Sequence, residues 1–262
     1  MYITRVRKFM VRLTVLLMLA GACVAGWVYR DHLVALVEGI THAPGQAEPV
    51  PDPETYTVLS DDLEEHRKRL NSSYTAATTA AERAAILGQA RTLLEHSLPR
   101  LMRCWLGTPW DFNGTAHEPG GGKVACGYFV SSVLQDARFN VEWAPLAQQA
   151  SQNILGTFLP HDEMKIRVGI DYEKFLSEVT ASGAGVYIVG LDSHVAFLVV
   201  TDDGEIRFIH SSGARPWCVV DESREDANVL RASRYRVTGN ITANGEVVRS
   251  WLLGSSFKTR TL

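Results

Sequence analysis

Apolar positions along this chain recur first at helical spacing and then, from about Leu101, in alternating helical and strand-like runs. Leu13 through Tyr29 carries no charge, and residues 31–43 read as a short amphipathic continuation with Leu33, Leu36, Val37 and Ile40 on one face. Pro44, Pro49, Pro51 and Pro53, mixed with Gly45, Gln46 and Glu48, predict a stiff, extended linker. Two helical patterns come next. Ser60-Asp61-Asp62 opens a heavily charged one, solvated over most of its surface. Thr79-Ala80-Ala81-Glu82 is a capping box for the second, which runs through Leu87, Leu94 and Leu98 to stop before Pro99. This pair is expected to pack against the C-terminal part of the chain rather than to form a domain of its own.

Beyond Leu101 the pattern is α+β. Gly107-Thr108-Pro109 is turn chemistry, and Gly114 with Gly120-Gly121-Gly122 makes a flexible approach to Cys126. Phe129, Val130, Val133, Leu134 and Ala137 then repeat at helical spacing, and Asp171 through Val179 reads as another short helix. Val186–Val189, Val195–Val200 and Ile206–Ile209 read as strands, with Asp202-Asp203-Gly204 as a hairpin turn. Arg234–Thr242 and Val247–Leu253 read as a further hairpin around Asn244-Gly245. The expected organisation is a signal or anchor segment at 1–30, a Pro-rich linker at 31–57, a helical extension at 58–99 and an α+β domain at 100–262.

Charge changes the picture mainly at the N-terminus. Arg5, Arg7, Lys8 and Arg12 precede the uncharged run, Trp27 and Tyr29 sit where an aromatic belt would lie, and Arg30 closes it. An uncleaved signal anchor, a cleaved signal peptide ending near Ala20-Gly21-Ala22, and a lipoprotein using Cys23 are the three readings, in that order. All put the bulk of the chain in the cell envelope: anchored in the inner membrane and facing the periplasm or exterior, or secreted. The composition of the 262 residues, 46% hydrophobic with net charge −3, fits a globular domain and offers no basic stripe for nucleic acid. Of the four cysteines, Cys104 and Cys218 are available to pair in an oxidising compartment, which sequence does not decide.

The candidate chemistry centres on Cys126, at the first turn of its predicted helix. There the positive end of the helix dipole favours a thiolate. His194 opens one predicted strand and His210 closes its partner, each eight residues from Asp202, so pairing brings them to a similar level. Two imidazoles so placed suit a base and an orienter for the thiol. A zinc site built from the same Cys and His is the rival, but no C-x-x-C or H-x-x-x-H spacing accompanies it.

These residues carry a resemblance. Leu106-Gly107-Thr108-Pro109-Trp110-Asp111-Phe112-Asn113-Gly114-Thr115 and Cys126-Gly127-Tyr128-Phe129-Val130 resemble the LGTPYxYGGT and DCSGFV segments of NlpC/P60 domains. Ser193-His194-Val195-Ala196-Phe197-Leu198 and Phe208-Ile209-His210-Ser211 resemble that family's HVGIYxG and FxHAS strands. Pro145, Gln148 and Gln149 stand where it often has a proline-led segment ending in glutamines. The resemblance covers about Leu101 to Ser212. It implies a papain-like α+β domain, a helix carrying Cys126 packed on an antiparallel sheet, and a Cys126–His194–His210 triad with no cofactor and no metal. The implied activity is thiol-dependent hydrolysis of an amide in the peptide stem of bacterial peptidoglycan. Trp110, at the place of the family's aromatic Tyr, and Tyr128, beside the nucleophile, are the candidate substrate contacts. The departures are Ala125 for the family's Asp, Gly127-Tyr128 for its Ser-Gly, and Val186 where it has an acidic residue in GDLVFF. They leave open a related amidase or acyltransferase acting on another substrate, or a module that binds wall or a partner without chemistry.

Overall fold

The computed structural model describes residues 49–261. The expected signal or anchor segment, Cys23 and the amphipathic run at 31–43 lie outside the described residues. Among the described residues no helix is long and apolar enough to cross a membrane.

In chain order the elements are α1 (Pro53–Ala76), α2 (Ala80–Cys104), α3 (Cys126–Asp136), α4 (Trp143–Ala147), α5 (Ser151–Phe158), β1 (Lys165–Val168) and α6 (Tyr172–Ala181). After these come β2 (Gly185–Leu191), β3 (Val195–Val200), β4 (Ile206–Ser211), β5 (Val219–Ser223), α7 (Asn228–Ala232), β6 (Tyr235–Asn240) and α8 (Gly245–Leu253). The fold is α+β, and the described residues form a six-stranded sheet in the order β1-β6-β2-β3-β4-β5. Every neighbouring pair is antiparallel.

Alternation along the central strands explains why they are buried on both sides. Val186, Ile188, Phe197, Val199 and Ile209 join one core with Leu94, Leu98 and Phe129 of α2 and α3. Tyr187, Val189, Leu198 and Phe208 join a second core with Phe175 and Leu176 of α6 and Leu230 of α7. The sheet is therefore covered by helices on both faces, and strands so placed are continuously apolar rather than alternating with polar residues.

Three sequence expectations are corrected. Helix α1 starts at Pro53, inside the expected linker and well before Ser60. Asp52 accepts the Thr55 N–H at 2.9 Å, and a proline at the first helical position lacks only an N–H that would have no partner there. Helix α2 keeps the expected capping box but continues through Pro99 to Cys104, because Leu94, Leu98, Leu101 and Met102 are all fully buried across that turn. This burial offsets the hydrogen bond that a proline removes from a helix. Finally, Val247–Leu253 belongs to a helix and not a strand. The Asn244 side chain accepts the Val247 N–H at 2.8 Å, and Val247, Val248, Trp251 and Leu252 bury one face at helical spacing. Asn244-Gly245 is a helix start, and local capping chemistry resembles hairpin-turn chemistry at the level of residue types.

The helical pair packs as expected. Tyr56 donates to Asp136 at 2.9 Å, its ring lies edge-on to Trp105, and Ser60 donates to the Asp136 carbonyl at 2.8 Å. These contacts tie α1 to the end of α3, the helix that begins at Cys126. Cys104 carries a free, buried thiol, so no disulfide joins it to Cys218.

Candidate active site

Cys126 is the first residue of α3, after Ala125 in extended conformation. The approach is braced rather than loose. Val124 N–H donates to Pro109, Ala125 N–H donates to Gly114, and Ser211 at the end of β4 donates to the Val124 carbonyl at 2.7 Å. On the other side, Gly107, Thr108 and Trp110 exchange backbone hydrogen bonds with Val219 and Trp217, which extends the β5 edge toward the site. The residue after Cys126 must be small. A Cβ on Gly127 would lie 2.1 Å from the Ala147 carbonyl oxygen at the end of α4. That close approach is a physical reason for one of the departures at the nucleophile motif.

His194 sits in the β2–β3 turn. Asp192 holds this turn by accepting from Ser233 Oγ at 2.5 Å and from the Arg234 and Tyr235 N–H groups at 2.8 and 3.2 Å. Leu191 N–H donates to the His194 carbonyl at 2.8 Å. The register Phe197↔Ile209 carries His210 level with Ala196, so the two imidazoles are diagonal rather than directly opposite. They nevertheless meet, with His194 Nε2 and His210 Nδ1 2.9 Å apart. His210 is fully buried behind His194, and its Nε2 lies 3.1 Å from Glu222 Oε2 on β5. Both nitrogens of His210 are thus committed within the protein, which removes it from the donor set that the zinc reading requires.

Cys126 and His194 line one cleft of about 660 Å³ with Trp110, Phe112, Tyr128, Gln148, Gln149 and Val229. The candidate contacts Trp110 and Tyr128 are both in its wall. Trp110 packs against Trp217, with ring centroids 5.6 Å apart, and Tyr128 accepts a hydrogen bond from Gln148 at 2.9 Å. Apart from His194, the described residues lining this cleft carry no ionisable side chain other than the Cys126 thiol and the Tyr128 phenol. A second cavity that shares Cys126, Gln149 and His194 is lined also by Asp192.

The electrostatics differ from the expected low-pKa thiol. Burial pushes the Cys126 thiol up, and the Val195, Gly127 and Cys126 N–H groups that face the sulfur only partly oppose it. Burial, and then the neighbouring His210, hold His194 down to about 3; burial does the same to His210. The resting pair is therefore a neutral thiol beside a neutral imidazole, because desolvation outweighs the helix terminus. Three N–H groups converging on the sulfur leave donors suited to an oxyanion formed next to it.

No family model matches the chain, nor does any curated protein or solved structure. Cys126, His194 and His210, the residues singled out from sequence, are brought together. Sequence reasoning misses Glu222. It lies in a short, polar edge strand whose pattern gives no strand signal, and only pairing with β4 carries it to His210.

Proposed function

We propose that this protein is a thiol-dependent hydrolase of the NlpC/P60 type that cleaves an amide bond through a thioester on Cys126. The observation that carries the reading is a helix-first cysteine sharing one cleft with a histidine whose far nitrogen is held by a second, buried histidine at 2.9 Å. Cys126 Sγ attacks the carbonyl carbon while its proton passes to His194 Nδ1, the nitrogen not engaged by His210. The oxyanion accepts from N–H groups at the start of α3, a contribution worth about 3 kcal/mol where such donors have been removed. Collapse expels the amine with the proton from His194. Water then attacks the thioester, giving a proton to His194, and release of the acid returns it to Cys126.

The proposed substrate is the peptide stem of peptidoglycan, in keeping with the signal or anchor segment expected from the sequence of residues 1–30 and the resemblance of four sequence blocks. A second reading, an amidase or acyltransferase on a substrate outside the wall, is favoured by the cleft wall itself. Neither Lys nor Arg is among the described residues lining the cleft, Trp110, Phe112 and Val229 face it, and the Asp192 carboxylate lines the adjoining cavity that shares Cys126 and His194, so the site suits an acyl group flanked by chemistry without carboxylates. The test is to incubate the full chain with purified wall fragments and with peptide amides that differ only in carboxylates beside the scissile bond. Mass analysis of products should show cleavage, fastest where the flanking residues are neutral. Tight binding of fragments with no bond broken in any of them would instead support a binding module.

A further inference from the structure

The two imidazoles form part of a longer line. Glu222 Oε2, His210 Nε2, His210 Nδ1 and His194 Nε2 succeed one another at 3.1 and 2.9 Å across the ring of a fully buried histidine. We propose that Glu222 is a positioning residue for the proposed hydrolase, the terminal acceptor that decides which nitrogen of His194 presents a lone pair to Cys126. This rests on the reading of Cys126 as nucleophile.

Each neutral imidazole has a single N–H. An ionised Glu222 can only accept, so His210 must carry its hydrogen on Nε2. His210 Nδ1 is then an acceptor and takes the Nε2–H of His194. His194 Nδ1 is left bare, as a base for the thiol requires. A protonated Glu222 reverses the line. Its O–H donates to His210 Nε2, His210 Nδ1–H donates to His194 Nε2, and His194 Nδ1 now holds a hydrogen and cannot accept another. The same atoms hold either pattern, so one proton on Glu222 changes a competent base into an incompetent one.

The surroundings put that proton in play. Burial, with Asp226 beyond β5 adding to it and Arg207 on β4 opposing, raises the Glu222 carboxyl to about 7. Arg207 is shared with Asp221, to which it donates at 2.8 and 2.7 Å, and Arg103 of α2 also bonds Asp221 at 2.7 Å. Neither cation is therefore dedicated to Glu222. Phe208, opposite Glu222 in the register, stacks on His210 with centroids 4.2 Å apart and helps to keep water out of the line.

Two measurements on the full chain test this. Long-range nitrogen–proton NMR of labelled histidines reads tautomers without any substrate. His194 should be protonated at Nε2 at alkaline pH and should change tautomer together with His210 in one step near pH 7. Glu222→Gln, which retains an acceptor oxygen but cannot ionise, should abolish that step. In turnover, wild type should show an acid limb in kcat/KM near pH 7 that Glu222→Gln lacks. Glu222→Ala should lose roughly 10- to 100-fold in kcat, as when a partner orienting a functional histidine is removed, with Glu222→Gln recovering part of it. A Glu222→Gln protein that keeps both the tautomer step and the acid limb overturns the proposal. If the tautomers respond as expected but Cys126 turns nothing over, the relay stands and the hydrolase reading fails. If turnover is thiol-dependent and indifferent to Glu222, the relay fails and the hydrolase reading stands.

Discussion

At the scale of single residues, the proposed chemistry depends on a neutral thiol and a neutral base that share one cleft. His194→Ala removes the only imidazole among the described residues lining the cleft beside Cys126, and kcat should fall by about 10²–10⁴-fold. His210→Ala should lose less, since it orients the base and does not itself transfer the proton. Initial rates of the two variants on one substrate check the order. The same burial has a stability signature. His194 and His210 stay neutral in the folded chain down to about pH 3, whereas an unfolded histidine takes up its proton near 6.5. The unfolded state therefore binds protons first as pH falls. Their contribution is full above about pH 6.5 and is lost as pH drops toward 3. Glu222 works in the opposite sense: its folded value near 7 lies above its ordinary 4.5, so its contribution is full below 4.5 and fades as pH rises through 7. Thermal melts across pH should show Tm falling below pH 6.5, with a shallower acid slope in His210→Gln. An unchanged slope would show that this imidazole is not held neutral.

At the scale of elements, the site is where a helix start, a turn and a strand end converge, and the fold around it depends on close backbone approach and capping. Gly127→Ala sets a methyl against the Ala147 carbonyl, which is backbone and cannot rotate away. Helix α4 must shift, and Tm and activity should fall together, because Gln148 and Gln149 of the cleft wall come directly after it. Asn244→Ala removes the cap of α8, none of whose residues lines the cleft, and should cost about 0.5–2 kcal/mol in denaturant unfolding while sparing turnover. The same elements indicate what sequence makes legible. Helix α3, the three central strands and the Asp202–Gly204 turn are readable from periodicity because each strand or helix has a full apolar face to bury. The candidate triad is legible because Cys126 starts α3, His194 directly precedes β3 and His210 lies near the end of β4, where residue type and position coincide. Strand β5 and Glu222 are not, since Val219–Ser223 is an edge strand of mostly half-buried residues that depends on β4 for its form. Helix α8 reads as a strand because a capping Asn before Gly is also a hairpin signal. Only its partners, Ala137 and Phe139 against Trp251, decide between them.

At the scale of the whole molecule, the helical pair is part of the core, and a boundary at residue 100 falls inside α2. Leu94 and Leu98 are fully buried in the same core as Phe129 and Phe197, so a chain beginning at 100 loses side chains whose truncation singly costs about 2–5 kcal/mol. Circular-dichroism melting should show a cooperative transition for a chain beginning at 49 and none for one beginning at 100. The proposed envelope location carries its own outcome: the full chain should sediment with membranes, and protease added outside spheroplasts should digest the domain. These properties of fold and placement would hold for a binding module as well as for an enzyme, so the central claim is tested at the sulfur. Cys126→Ala replaces a small side chain at a helix start and should leave Tm nearly unchanged. Wild type and Cys126→Ala, digesting the same wall fragments and peptide amides, are compared by mass analysis of products. Thiol catalysis predicts cleavage products from wild type and none from the variant. Equal product from both would contradict it, because the bond would then be broken without the thiol.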